Sequence, residues 1–306
     1  MTAPSDSGRQ SVAVIGLGGI GAALTGALCA AGRHDVVACA RRPVSGLLLD
    51  RAEGETPVSV RGVTNPAALN PVDWVMLCTK AHHTPSTAPW LERLCGPGTR
   101  VAVFQNGIGH AERTSPFAGA ARIVPTVVYY NGERVGEDRV RLRTAGTHDL
   151  VLPDDDDGRA LADVLDGTGL KLLLSDDFET LAWRKLLLNT VVNPITALTM
   201  QRQAVLRRPD VYALSLQILA EATAVGRACG ARLAEDEAER VMARLMSFSP
   251  AFGTSMYFDR LAGRTLEIEA ITGAIVAAGE RHGVPAPLNA AMLALLRAVS
   301  DSANPV

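Results

Sequence analysis

An ammonium and two amides set four residues apart make Trp183–Pro194, W-R-K-L-L-L-N-T-V-V-N-P, the first place where side chains could handle a ligand. Lys185, Asn189 and Asn193 sit in a run, Leu181 to Leu198, that is otherwise largely apolar. On a helix each step of four overshoots a full turn by about 40°, so the three lie along one stripe. Leu186, Leu187, Val191, Val192 and Ile195 fill much of the remaining circumference, which predicts a helix buried on most sides. A lysine and two asparagines in such a position are costly unless something hydrogen-bonds them. The stripe therefore faces water, caps another element, or meets a polar object supplied elsewhere in the chain. Pro194 cannot donate to the carbonyl four residues back, which predicts a bend there.

The second stretch is built from residues without side chains. Val12–Ile15 reads as a short buried strand and runs straight into Gly16-Leu17-Gly18-Gly19-Ile20-Gly21. A helix from about Ile20 to Ala31, a stop at Gly32 and a strand at Asp35–Ala40 follow. A strand, a glycine turn, a helix and a second strand are the context the dinucleotide fingerprint requires. Gly16 allows the tight turn, Gly18 lets backbone approach a pyrophosphate, and Gly21 lets the helix pack close to the sheet. The helix start offers free N–H groups to the phosphates. A carboxylate at the end of the second strand would mark NAD. This chain carries Arg41-Arg42-Pro43 there, and guanidinium groups suit the 2′-phosphate of NADP. The other reading of the pair is a solvated turn.

Four further residues are candidates by position. Lys80 follows the buried strand Val72–Thr79, and Asn106 follows Val101–Phe104; residues just past the carboxyl ends of such strands line the ligand crevice. Each is equally compatible with ordinary loop chemistry. Ser255 lies in the small-residue linker Ser249–Met256, where a hydroxyl could face a ligand. Glu267 falls at the start of a helix expected from Thr265 to about His282, and its position alone favours a surface residue complementing the helix dipole.

These residues need a frame. A chain of 306 residues suits two domains. Strand signals end near residue 175 and the pattern is helical thereafter, so the expected fold is α/β, a Rossmann-type dinucleotide-binding domain (1–175) followed by an all-helical domain (176–306). Within the first, Arg122–Tyr130, Val140–Thr144 and Asp149–Leu152 read as strands, the last two as a hairpin around Gly146. Lys171–Leu174 reads as another, with helices at Thr84–Leu94 and Gly158–Leu165. The acidic run Asp154–Asp157 reads as a solvated loop; it lacks the alternating spacing of a calcium loop. The second half predicts helices at Pro209–Cys229, Glu235–Met246 and Leu288–Val299.

Composition excludes several classes. A net charge of -2 gives no field to recruit nucleic acid or anionic membrane. No apolar run approaches the roughly 20 residues of a membrane span, and the polar N-terminus does not read as a signal peptide. The five cysteines lack paired spacing and sit mostly in apolar segments, which predicts reduced thiols and a cytoplasmic setting. Six scattered histidines, His82 and His83 among them, predict no metal site.

With these segments in hand, the chain resembles the ketopantoate reductases (2-dehydropantoate 2-reductases) over nearly its whole length. The resemblance rests on G-L-G-G-I-G at 16–21, K-A at 80–81, Q-N-G at 105–107, W-R-K-L-L-L-N-T-V-V-N-P at 183–194, S-M at 255–256, A-G-R-T-L-E-I-E at 262–269 and H-G-V-P-A-P-L-N at 282–289. It implies NADPH-dependent reduction of a 2-oxo acid, ketopantoate, to the 2-hydroxy acid pantoate, a step toward pantothenate and coenzyme A, with the substrate in a cleft between the domains. Carried over, Lys185 is the catalytic lysine, Asn189 and Asn193 hold substrate, Ser255 binds its carboxylate and Glu267 its far hydroxyl. Lys80 and Asn106 lie by the nicotinamide and the reacting centre, and Arg41 at the 2′-phosphate. The partner is a small molecule, and a homodimer is compatible with the resemblance. His82-His83 and Thr272 depart from the familiar pattern, which leaves a paralogue acting on another 2-oxo acid as the alternative. A related two-domain dehydrogenase or a catalytically silent NADPH-binding regulator are the other readings.

Overall fold

The structure is a computed structural model and describes residues 8–144 and 146–301. Its contacts divide it into two units, 1–105 with 110–178, and 106–109 with 179–306.

The first unit is organised by a six-stranded, all-parallel sheet. In spatial order its strands are Arg61–Val63, Asp35–Cys39, Ser11–Ile15, Trp74–Leu77, Arg100–Val103 and Arg122–Pro125. Counted along the chain this is the order 3-2-1-4-5-6 of the doubly wound fold, which reverses direction between Ser11–Ile15 and Trp74–Leu77. The alternation of side chains divides each strand between two cores. Val12 and Val14 pack on one side with Leu24, Ala27 and Leu28 of the helix Gly19–Ala31. Ala13 and Ile15 pack on the other with Leu91, Leu94 and Ala118 from the helices Ala88–Leu94 and His110–Ala118. Burial on both faces is why these strands read as unbroken apolar runs.

A second sheet covers the outer side of Gly19–Ala31. Its strands, in order, are Asn131–Arg134, Arg139–Arg143, Gly46–Arg51 and Gly54–Ser59. Leu47, Leu49, Val140 and Leu142 join the core of that helix. The helix is thereby buried on both sides, which explains an apolar sequence with no polar face. The hairpin Gly46–Ser59 and the strand Asn131–Arg134 are absent from the sequence reading. The expected hairpin around Gly146 is corrected: Arg139–Arg143 pairs with Asn131–Arg134 and Gly46–Arg51, whereas Leu150–Pro153 pairs with Val127–Val128 and Leu172–Ser175 in a third sheet. Val140 and Leu142 cover the first helix, and Arg139, Arg141 and Arg143 converge on buried Asp50, so that strand belongs beside Gly46–Arg51.

Other boundaries move for local reasons. Arg122–Tyr130 breaks into Arg122–Pro125 and Val127–Val128 at Thr126, whose hydroxyl donates to the Val103 carbonyl at 2.8 Å. Thr84–Leu94 is a helix only over Ala88–Leu94, after two short 3-10 turns, Ala81–His83 and Pro85–Thr87. Asp155 is a helix cap, accepting from the Gly158 N–H at 2.8 Å, and Asp157 pairs with Arg100 and Arg122. The acidic run is thus engaged rather than merely solvated.

The second unit is helical among its described residues. The long helix Phe178–Thr199 packs through Trp183, Leu186, Leu187, Val191 and Ile195 against the helices Pro209–Ala228 and Glu237–Ser247. Trp183 is fully buried and its indole N–H donates to Glu179 at 3.0 Å; Arg184 pairs with buried Glu237. The helix continues through Pro194. No described helix is long and apolar enough to cross a membrane.

Candidate active site

In the first unit, the glycine loop Gly16–Gly21 leaves the central strand at the reversal of strand order. Gly16 has φ +94°, and a Cβ there would lie 2.7 Å from the Thr79 methyl, so only glycine fits. A Cβ at Gly21 would overlap the Gly16 carbonyl oxygen, and one at Gly19 that of Gly132. Gly18 is different: nothing lies within 4 Å of the space its Cβ would fill. Leu17 and Ile20 pack on the surrounding core. The first helical bond is Ala22 N–H to Gly18 O at 2.9 Å, which leaves the Gly19, Ile20 and Gly21 amides at the helix start, with no acidic residue in the first turn. Open space at Gly18, outward amides and no competing anion fit a pyrophosphate.

Arg41 and Arg42 directly follow the second strand and its last bond, Ala40 N–H to Val63 O; both are exposed and make no ion pair among the described residues. Arg139, Arg141 and Arg143, by contrast, are tied to Asp50, whose carboxyl they hold below its ordinary range through the Arg143 hydrogen bond first. Lys80 is half-buried and opens the turn Ala81–His83 after the fourth strand of the sheet.

In the second unit the stripe is realised. Lys185 is partly buried, and burial pushes its ammonium from an ordinary 10.5 down to about 8. Asn189 and Asn193 are 8% and 4% exposed, and neither side chain makes a hydrogen bond among the described residues. Their amides are also absent from the fully enclosed unpaired atoms, so the tips remain reachable by solvent. Neither amide caps another element among the described residues.

Other candidate residues of this unit lie on sequence-distant segments. Thr196, three residues beyond Asn193, meets the Thr254 hydroxyl at 2.8 Å. Thr254 also caps the helix Ser255–Leu261 by accepting from the Tyr257 N–H, which leaves Ser255 exposed at the first helical position. Thr254 is a residue the sequence reading missed, although a threonine before an apolar run is a recognised helix-start signal. Asn106 belongs with this unit. Its side-chain amide donates to Glu267 at 3.4 Å, and Gly107, at φ +92°, passes so close to the Ala270 carbonyl that a Cβ would overlap it.

Glu267 corrects an expectation. Thr265–Ile268 is not helical; a π-turn at Glu269–Gly273 precedes the helix Ala274–His282. Glu267 is 6% exposed, so it is no surface residue complementing a dipole. Glu269 takes the surface role and pairs with Arg297. A π-turn beside a buried carboxylate is a common mark of a functional site. Among the described residues no cluster of His, Cys, Asp and Glu could hold a metal ion.

A doubly wound sheet with a glycine loop at its switch point, followed by a helical unit carrying a desolvated lysine, defines a pyridine-nucleotide oxidoreductase. The chain belongs to the ketopantoate reductase family: the family model "Ketopantoate reductase PanE/ApbA" matches residues 12–154, and its C-terminal counterpart matches 177–300. It is 36% identical over 293 residues to a 2-dehydropantoate 2-reductase of Caulobacter vibrioides, covering 95% of this chain and 99% of the relative. A 2-dehydropantoate 2-reductase of Mycobacterium tuberculosis is 37% identical, with 95% and 98% covered. The crystal structure of a PanE/ApbA family ketopantoate reductase from Ralstonia eutropha JMP134 superposes with a TM-score of 0.86 at 30% identity, covering 96% and 99%.

Proposed function

We propose that this protein reduces ketopantoate to pantoate with NADPH, on the route to pantothenate and coenzyme A. The observation that carries the reading is the stripe: a desolvated Lys185 in line with two buried asparagines whose amides make no hydrogen bond among the described residues. Gly16–Gly21 hold the pyrophosphate, Arg41 the 2′-phosphate, and Lys80 the nicotinamide side. Two exposed, unpaired arginines where a ribose-binding carboxylate would otherwise stand support NADP over NAD.

A bound reduced nicotinamide supplies the hydride. As negative charge gathers on the carbonyl oxygen, the Lys185 ammonium stabilises it and donates a proton, leaving the neutral amine and a 2-hydroxy acid. A lysine near pH 8 in its ionisation suits both halves of that task. Asn189 and Asn193 orient the substrate, Ser255 binds its carboxylate, and Glu267, fixed by Asn106, accepts from its distal hydroxyl. A 2-oxo acid without that hydroxyl would leave the buried Glu267 with a lost partner, which selects against it.

The test is NADPH oxidation followed by absorbance over a panel of 2-oxo acids, with NADH as control. Ketopantoate is expected to give the highest kcat/KM. Turnover of another oxo acid with none of ketopantoate would reject the substrate, and equal use of NADH would reject the phosphate role of Arg41.

A further inference from the structure

We infer that Gln105 is a positioning residue, whose buried amide braces the Lys80 turn so that this lysine is held ready for the dinucleotide. The inference rests on the dinucleotide reading proposed above. Gln105 lies two residues past the strand Arg100–Val103, which lies beside Trp74–Leu77 with Leu77 opposite Val103. The pairing continues outward, with Phe104 N–H donating to Leu77 O at 2.8 Å and Cys78 N–H to Ile15 O at 2.9 Å. Thr79 and Lys80 therefore emerge next to Gln105 and to Gly16, which packs on Thr79.

The Gln105 side chain is 4% exposed and fully used. Its Nε2 donates to the Thr84 hydroxyl at 3.0 Å and to the Thr79 hydroxyl at 3.3 Å. Its Oε1 accepts from Arg113 Nε at 3.1 Å and, at a longer 3.4 Å, from the same Thr84 hydroxyl. The Gln105 carbonyl is held by His110 Nε2 at 3.0 Å. Burial keeps His110 neutral, its pKa pushed down to about 3, so this contact does not change with physiological pH. Thr79 and Thr84 flank the arc containing Lys80, and the arc closes on itself through His83 N–H to Lys80 O at 2.9 Å. One amide thus pins both ends of the segment carrying the lysine. A methylene chain of the same length would fill the space without tying either end.

The experiment is a titration of NADPH fluorescence in the full-length protein, for wild type, Gln105→Leu, Lys80→Ala and the double variant. Gln105→Leu is expected to raise the Kd for NADPH about tenfold, as the loss of its ties to Thr79 and Thr84 allows. In the Lys80→Ala background it should add less than about twofold, because the brace acts through that lysine. Thermal melts establish that each variant is folded at the titration temperature. Where Gln105→Leu does not fold, Thr84→Val removes one anchor and should raise the Kd about threefold. A folded Gln105→Leu or Thr84→Val protein with wild-type affinity overturns the inference, and so does a full additional effect in the Lys80→Ala background. Lys80→Ala binding like wild type also overturns it, since there is then no grip to position. Wild-type protein that binds no dinucleotide would instead reject the underlying reading, so the two failures are distinguishable.

Discussion

The glycine loop and the lysine stripe solve opposite problems. In the proposed reading, Gly16–Gly21 make a site by leaving side chains out, so that backbone amides can reach a ligand. In the same reading, Phe178–Thr199 makes one by burying most of each polar side chain: Asn189 and Asn193 are 8% and 4% exposed and make no side-chain hydrogen bond among the described residues, leaving only their tips to solvent. The first arrangement is safe in the absence of ligand and the second is not. In that reading a common phosphate is assigned to backbone geometry and the selection of one substrate to a few side chains. The lowered Lys185 ionisation belongs to the same cost.

Substitutions that restore comfort to the stripe should hurt catalysis most. Lys185→Met is expected to lower kcat by about 10²–10⁴-fold in NADPH oxidation assays while leaving the Kd for NADPH unchanged, because only the proton donor is removed. A parallel loss of dinucleotide binding would erase the division between the two regions. Next in size, Arg41→Ala should reduce the ratio of kcat/KM for NADPH to that for NADH by about 10–100-fold, the worth of one or two charge-assisted hydrogen bonds; an unchanged ratio assigns Arg41 to solvent.

Within the loop, the individual glycines should separate. Gly21→Ala forces a Cβ into the Gly16 carbonyl and should cost about 1–3 kcal/mol in denaturant unfolding. Gly18→Ala meets no atom and has φ −67°, so its stability should stay within about 0.5 kcal/mol while its NADPH affinity falls. Equal stability losses at both positions would mean that Gly18 serves packing and not phosphate.

The last effect is on pH. With Lys185 near 8 in the folded protein, ketoacid reduction should fall about tenfold per unit above pH 8, as the ammonium is lost. The sign for stability is opposite. Between about 8 and the ordinary 10.5 the unfolded chain keeps the proton that the folded chain has released, so this residue makes stability rise with pH over that window. Lys185→Met should abolish both trends, and a pH profile of kcat that survives the substitution would assign them elsewhere.

What was legible in the sequence followed the same divide. The parallel strands were readable because both faces are apolar, and the glycine loop because its residues sit between a strand and a helix. The stripe was readable from a period of four. Gly46–Ser59 escaped because much of Gly54–Ser59 is exposed and polar, with Pro57 inside it, so no alternating pattern announces it. The false hairpin around Gly146 came from taking sequence neighbours as partners, when the arginines of 139–143 are matched to Asp50 some ninety residues away. Glu267 could not be placed because its surroundings come from far away in sequence: Asn106 donates to it, and Gly107 passes close to Ala270 in the π-turn that follows. Gln105 left no pattern beyond its place just past a strand.

The near contact of Gly19 with Gly132 has one more consequence. The phosphate loop cannot be excised as a minimal nucleotide-binding module ending after the sixth parallel strand, because the cover strand Asn131–Arg134 lies beyond that boundary and Tyr130 bonds the Ile20 carbonyl at 3.1 Å. Amide hydrogen exchange should register this as one cooperative block. Binding at the loop should slow exchange in Arg139–Arg143 and Gly46–Arg51, strands that no ligand needs to touch.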